Sequence, residues 1–397
     1  MESLRESSSK VWYFTIIVYI LYFLQGTLYP SGGGLSMSLI LSVILLGLTN
    51  CIRSIIFPKR TPFVIFIAVL FFVSLTVAFI KSPAPKFSIV VGDFITSVTQ
   101  YKDSIVFILS LFTGYQVGLH KKLPLSQVLV FTILLFALTL FNFFKTAATN
   151  EELRGVEEST NNAAYGFLFL LPFVAIISQK YKKIAAVLAS VCFVLIVSGA
   201  KRGALICLGA MMVYLAVWYL KRYRVGLKTI AGAIVVITCA SFYLVHAFNS
   251  SDYLQKRLDD TMEGNSSGRD NLYDDILSAW DNEIDWEIKL LGSGTAETVP
   301  IAGNLAHNDW LELLIDNGLF GALIYFLLFV SMISFVNRNR ISATERLACM
   351  LWIVLWFVKT LFSMGYVSIM GGLTMLMLGQ IIGNTVACRQ ERKIVKS

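Results

Sequence analysis

Residues 67–80 read IAVLFFVSLTVAFI, a run of apolar side chains broken only by one serine and one threonine and carrying no charge. A transmembrane barrel strand alternates apolar and polar residues over roughly 10 positions. This run does not alternate, so it is a helix. With its flanks it reaches the roughly 20 residues needed to cross a hydrocarbon core about 30 Å thick. Comparable runs recur almost end to end. Of 397 residues, 56% are hydrophobic and 15% charged, against about 45–50% and about 25% in soluble domains. A soluble globular enzyme, a disordered chain and a secreted disulfide scaffold are excluded. The predicted fold is all-α: a polytopic membrane protein with about 12 transmembrane helices and one large loop on its outer side.

The spans fall near 11–29, 35–57, 62–80, 103–119, 124–144, 163–178, 184–200, 203–220, 229–248, 309–336, 345–362 and 366–387. Residues 87–102 are left open as interfacial or re-entrant. Three regions follow: an N-terminal bundle of about nine helices (1–248), a large polar loop (249–306) and about three C-terminal helices (307–397). The first helix has a polar start and no small-residue cleavage site, so it reads as an anchor.

The formal net charge of +8 suggests a nucleic-acid partner until the charges are placed. With a cytoplasmic N-terminus and a crossing at every span, 21 of the 33 basic residues face the cytoplasm beside only four acids, Glu2, Glu6, Glu345 and Glu391. That is the positive-inside pattern. The basic balance is topology and needs no nucleic acid. It places both termini in the cytoplasm and the long loop outside. The six cysteines show no CxxC spacing, so neither a metal site nor a disulfide framework is implied.

Basic residues are scarce on the outer side, which singles out Lys201 and Arg202 in VLIVSGAKRGALICLGA. A guanidinium between two apolar helices is costly unless it faces protein or a water-filled cavity, and its planar fork of donors suits phosphate oxygens. The bland alternative is a headgroup contact or a helix cap. In the long loop, Leu272, Ile276, Trp280 and Ile284 recur every fourth residue, a stripe suited to a helix resting on the bundle. Arg269 stands at the start of that helix, where an anion is also favoured.

The segment GNLAHNDWLELLIDNGLFG (303–321) carries His307 just before the tenth span. Asn308 or Asp309 can cap that helix, which puts His307 at its positive end. Asp309, Glu312 and Asp316 load a spanning helix with acid, so they are expected to point into a cavity. Gly318 and Gly321 suggest close helix approach. His120 and His246 read as structural. The loop acids form no D-x-D pattern, which argues against a sugar-nucleotide transferase with a metal-bound diphosphate.

These residues resemble a known family. His307 and Asn308, nine residues, then Gly318 and Gly321, is similar to the H-[NSQ]-x9-G-x-x-[GTY] pattern of bacterial O-antigen ligases. SGAKRGAL (198–205), SGRDNLYDDILSAW (267–280) followed by LLGSGTAET (290–298), and NNAAYGFLFLLP (161–172) resemble three further segments, in order. Ile206 departs from the leucine that ligases often place four residues after the arginine.

The superfamily joins O-antigen ligases, flippase-dependent polysaccharide polymerases and protein oligosaccharyltransferases. The resemblance implies an inverting glycosyltransferase of the bacterial inner membrane with its active site in the periplasm. It would move a glycan from an undecaprenyl-diphosphate carrier to an acceptor glycolipid with no metal or other cofactor. Arg202 and Arg269 would hold the diphosphate, His307 would act on the acceptor hydroxyl, and Lys201, Asn308, Asp309 and Glu312 would bind substrate. FVKTLFSMGY (357–366) favours a polymerase, with a chain-length regulator as an expected partner. A ligase acting on lipid A-core is the alternative. A lipid-linked oligosaccharide flippase is a further one, although it would not require the long outer loop.

Overall fold

The computed structural model describes residues 2–23, 25, 33–56, 61–82, 88–90, 93–95, 97–120, 123–154, 161–199, 201–222, 242 and 269–394. The first helices are α1 (Glu2–Phe23), α2 (Gly34–Ile56), α3 (Phe63–Lys81), α4 (Ser97–His120), α5 (Leu125–Arg154), α6 (Ala164–Ile177), α7 (Lys182–Ser198) and α8 (Arg202–Arg222). They are followed by α9 (Arg269–Asn282), α10 (Trp286–Leu291), α11 (Thr298–Ala302), α12 (Asp309–Arg338), α13 (Ala343–Thr360) and α14 (Ile369–Ile394). Between α3 and α4, in the stretch left open by the sequence, strands β1 (Ser88–Val90) and β2 (Asp93–Ile95) pair as a short antiparallel hairpin.

Each expected span overlaps a helix, apart from 229–248, which lies outside the described residues except for residue 242. Among the described residues six helices are long and apolar enough to cross a membrane: α2, α3, α5 within Leu125–Thr149, α8, α12 and α14 within Ile369–Arg392. The others are shorter, more polar or more charged. The helix α6 has only 14 residues, and α13 carries Glu345 in its first turn and Lys359 in its last. Large apolar side chains point outward along the six helices, including Phe63, Ile80, Val213, Leu220, Leu319 and Phe320, and on α7 Val187. An apolar surface this continuous needs lipid as its solvent. The chain is a membrane protein.

The helices group into two compact units. The first comprises Met1–Pro124, Asn271–Cys349 and Lys359–Ser397. Its backbone-to-backbone contact is between α4 and α14. A Cβ added at Gly114 would run into the carbonyl oxygen of Leu376, and at Gly118 into that of Gln380. From the other side, Gly379 faces the carbonyl of Leu111 and Gly383 that of Tyr115. Two G-x-x-x-G pairs, GYQVG (114–118) and GQIIG (379–383), thus interlock. Lipid gives helices no hydrophobic drive to associate, and small residues let dispersion and backbone contacts do it. Residue numbers rise together across the contact, so α4 and α14 run parallel. The same holds for α2 and α4, where Gly47 abuts Leu109 and Gln116 Nε2 donates to Ser54 Oγ at 2.9 Å.

The second unit comprises Leu125–Asp270 and Met350–Val358. Its core is aromatic. Trp352 is fully buried, with its ring edge-on to Phe173 at 4.9 Å and its indole N–H donating to the carbonyl of Phe169 at 3.2 Å. Phe143 packs against Phe167, and Gly166 leaves room for Thr139.

Candidate active site

The helix α12 is not one rod. Residue Gly318 has φ 67° and ψ −174°, outside any helical conformation. In a straight helix residues 309 and 325 would lie about 24 Å apart. Here the Tyr325 hydroxyl donates to Asp309 Oδ2 at 2.6 Å, and the rings of Trp310 and Phe329 are 6.1 Å apart. The chain therefore folds back at Gly318 into two limbs, 309–317 and 319–338, lying side by side. The second limb, 20 residues or about 30 Å long, matches a bilayer core and packs antiparallel on α3, with Tyr325 stacked on Phe71 at 5.0 Å.

The expectation of one span across 309–336 is corrected, and the reason accounts for its acids. Asp309, Glu312 and Asp316 all lie on the short limb, and the spanning limb carries none. A nine-residue limb that returns to its own side can hold acids without placing them across the bilayer.

Those acids hold loops. Asp309, Glu312 and Asp316 are 0%, 0% and 2% exposed, so each oxygen needs donors. Asp309 Oδ1 accepts from the Gly365 N–H at 2.8 Å, and its Oδ2 accepts from Tyr366 N–H as well as Tyr325. Glu312 Oε2 takes the Ala306 N–H at 2.7 Å, while Oε1 takes Thr298 Oγ1 and Gln100 Nε2, both at 2.9 Å. Asp316 takes the N–H groups of Ala296 and Glu297, both at 3.0 Å, and the same Gln100 amide at 2.9 Å. Two consecutive donors just ahead of α11 thus receive a carboxyl group, an arrangement that suits a helix N-terminus.

The glycine-rich segment 292–295 closes the fold-back. Ser293 and Gly294 donate to the carbonyls of Ile315 and Asp316 at 2.8 and 3.1 Å, which satisfies the end of the short limb. Thr295 N–H reaches the carbonyl of Ala78, and Lys81 Nζ donates to that of Gly292 at 2.8 Å. A Cβ on Gly318 would strike Leu290, and one on Gly292 would strike Asp316. The two glycines meet back to back because nothing larger fits.

His307 sits at the far end of this clamp, half-buried, with φ 52°. Positive φ is uncommon outside glycine and persists where the surroundings enforce it. What enforces it is the next three residues. Asn308 caps the short limb, its Oδ1 accepting from Trp310 N–H at 2.9 Å, and its Nδ2 donates to the Leu361 carbonyl at 3.1 Å. Asp309 binds Gly365 and Tyr366, and Trp310 Nε1 donates to Thr360 Oγ1 at 2.9 Å. The loop 361–366 is strapped beside the histidine, and Lys359 donates to its Met364 carbonyl.

In the second unit, Lys201 and Arg202 stand where the sequence placed them, at the N-terminus of α8. The Lys201 carbonyl accepts the first helical bonds, from Ala204 at 2.9 Å and Leu205 at 3.1 Å. Both side chains are partly exposed. Two cations at the positive end of a helix dipole are unfavourable in isolation, and an anion beside them reverses that. The turn is held from below by Asn161, the first residue of NNAAYG. Its N–H donates to the Gly199 carbonyl at 2.9 Å, its Nδ2 to Phe143 O at 2.7 Å, and its Oδ1 accepts from Ala163 N–H. Asn161→Ala is expected to lower stability by about 1–3 kcal/mol through the buried groups left unpaired, measured as a fall in the unfolding midpoint of the purified protein. Arg269 is the first described residue of α9.

Four motif segments therefore pair off, Asn161 with the Lys201–Arg202 turn in one unit and 292–295 with 307–321 in the other. Sequence reasoning missed Gln100, Thr298 and Tyr325, which lie far from the acids along the chain and follow no spacing rule. The G-x-G at 292–294 was visible, but its partner was not.

Residues 184–326, a little over a third of the chain, match the family model of the O-antigen ligases. The matched stretch includes Arg202, Arg269 and the whole fold-back through Gly321, and it bears out the resemblance to the ligase and polymerase superfamily. Comparison with curated proteins gives no match.

Proposed function

We propose that this protein transfers a glycan from an undecaprenyl-diphosphate carrier to a sugar hydroxyl at the periplasmic face of the bacterial inner membrane, joining repeat units as an O-antigen or capsular polysaccharide polymerase. The observation that carries this reading is the strained, clamped His307 at the tip of the short limb, within the segment that matches the O-antigen ligases.

His307 takes the proton of the acceptor hydroxyl as that oxygen attacks the anomeric carbon. The bond from that carbon to the diphosphate oxygen breaks, and the leaving diphosphate keeps the electron pair. Attack opposite the leaving group inverts the centre. Charge develops on the diphosphate, so placed cations supply most of the stabilisation. Arg202, Lys201 and Arg269 are assigned that role. Asn308 sits close enough to His307 to orient it or the acceptor. Asp309 and Glu312, with all their oxygens bound to protein, act by positioning the loops beside His307. The acceptor is a glycolipid, and a chain-length regulator is a partner of this reading.

The twelve-span topology with both termini cytoplasmic belongs to the same proposal. The parallel course of α2, α4 and α14, and the antiparallel course of α3 and 319–338, agree with the directions that count assigns them.

The family description favours one competitor, a ligase that moves finished polymer to lipid A-core. Deletion of the gene separates the two, with the surface glycan run on a gel and lipid-linked intermediates extracted alongside. Core carrying a single repeat unit is the expected result. Bare core with long polymer accumulating on undecaprenyl diphosphate would make the protein a ligase, and an unchanged glycan would overturn both.

A further inference from the structure

Three members of the apolar stripe in α9 lie on the bundle as expected: Ile276 is buried with Ile315 and Ala306, and Leu272 and Trp280 pack around them. The fourth does not. The helix α9 stops at Asn282, and Ile284 is 95% exposed, with Trp286 72% exposed two residues later. Leu290 and Leu291, at the end of α10, are also exposed.

This apolar edge lies level with the end of a membrane helix. The clamp that follows α10 binds Ala78 and Lys81 in the last turn of α3. Leu290 abuts Gly318, and the spanning limb begins there with Leu319, Phe320 and Leu323 turned outward. The exposed surface of 284–291 thus continues the surface that lipid covers.

We propose that residues 283–291 form an interfacial anchor, with Ile284 and Trp286 inserted at the headgroup–acyl boundary of the leaflet at the Lys81 end of α3. On the charge-based orientation that is the outer leaflet. Tryptophan is enriched at this depth because its ring is apolar and its N–H can stay wet. Two of the acids nearby are turned to local work. Glu283 Oε1 accepts from the N–H groups of Ile284 and Asp285 at 2.8 and 2.9 Å, and Asp285 caps α10 through Glu287 N–H. Lys289 lies over the Trp280 ring and donates to the Asp281 carbonyl. Apolar contact, not headgroup charge, drives the insertion. A second copy of the chain is a poor occupant, since two large side chains and two half-exposed leucines fall well short of the roughly 800 Å² that each partner of a stable interface buries.

The test places the photocrosslinker p-benzoylphenylalanine at Ile284, and separately at Trp286, in the full-length protein in its own membrane. Val213, exposed on α8, serves as the lipid-facing control and Asp281 as the aqueous one. After irradiation, mass spectrometry should find phospholipid adducts at 284 and 286 as at 213, exceeding those at 281 by roughly tenfold or more, the ratio set by burying one large apolar side chain. Lipid adducts at 213 but not at 284 or 286 would overturn the anchor, as would adducts to a second copy or another protein.

Discussion

Alanine or asparagine in place of His307 is expected to lower glycan transfer by about 10²–10⁴-fold, the range for loss of a general base, and to leave the surface without polymer. Asparagine is the sharper test. His307 has φ 52°, and asparagine tolerates that region better than most residues, so His307→Asn removes the base while keeping the backbone. The protein should reach the membrane in normal amount and unfold at an unchanged midpoint. Arg202→Ala should give the same loss of polymer with the same retention of fold. The assay is surface glycan from a deletion strain carrying each variant, with membrane abundance measured in parallel. Normal polymer from His307→Asn would sink the assignment of the base.

Gly318→Ala is expected to be among the most destabilising single-methyl changes in the described part of the chain, at about 2–6 kcal/mol. Its φ and ψ fall in a region that is essentially glycine-only, worth about 1–3 kcal/mol, and the new methyl meets Leu290 backbone that cannot yield without opening the 292–295 clamp, worth a further 1–3 kcal/mol or so. Gly303 provides the internal control. It also has positive φ, at 74°, but a methyl there meets nothing within 4 Å. Gly303→Ala should therefore cost only about 1 kcal/mol. Unfolding midpoints of the two variants in detergent decide the matter. Equal shifts would mean that the back-to-back contact of Gly292 and Gly318 does not hold the fold-back.

Much of this was legible in the sequence, and the failures share one cause. Apolar runs located the helices, because length and composition are local. The four-residue spacing of Leu272, Ile276 and Trp280 found a bundle-facing stripe, and the break between two apolar runs at Lys201 and Arg202 located a helix start. Residues 309–336, however, read as one long apolar helix with an odd load of acid. The contradiction was visible, but its resolution was not. Gly318 breaks the helix where Leu290 and Gly292 occupy the space around it, and no local pattern encodes such a meeting. The G-x-x-x-G pairs at 114–118 and 379–383 are a middle case. Each is readable as a small-residue face, but that they face each other is tertiary information.

The parallel packing of α4 and α14 fixes something that span counting alone leaves free. Two membrane helices that run in the same direction end on the same side, so the chain leaves His120 and Arg392 on one face of the bilayer. Between those points it makes an even number of crossings, whatever their total. The limb 309–317 adds none, since it enters and returns. Sidedness is thereby tied to a rigid contact, and any insertion or deletion that changed the parity between the two helices would force apart a glycine interface that lipid cannot replace.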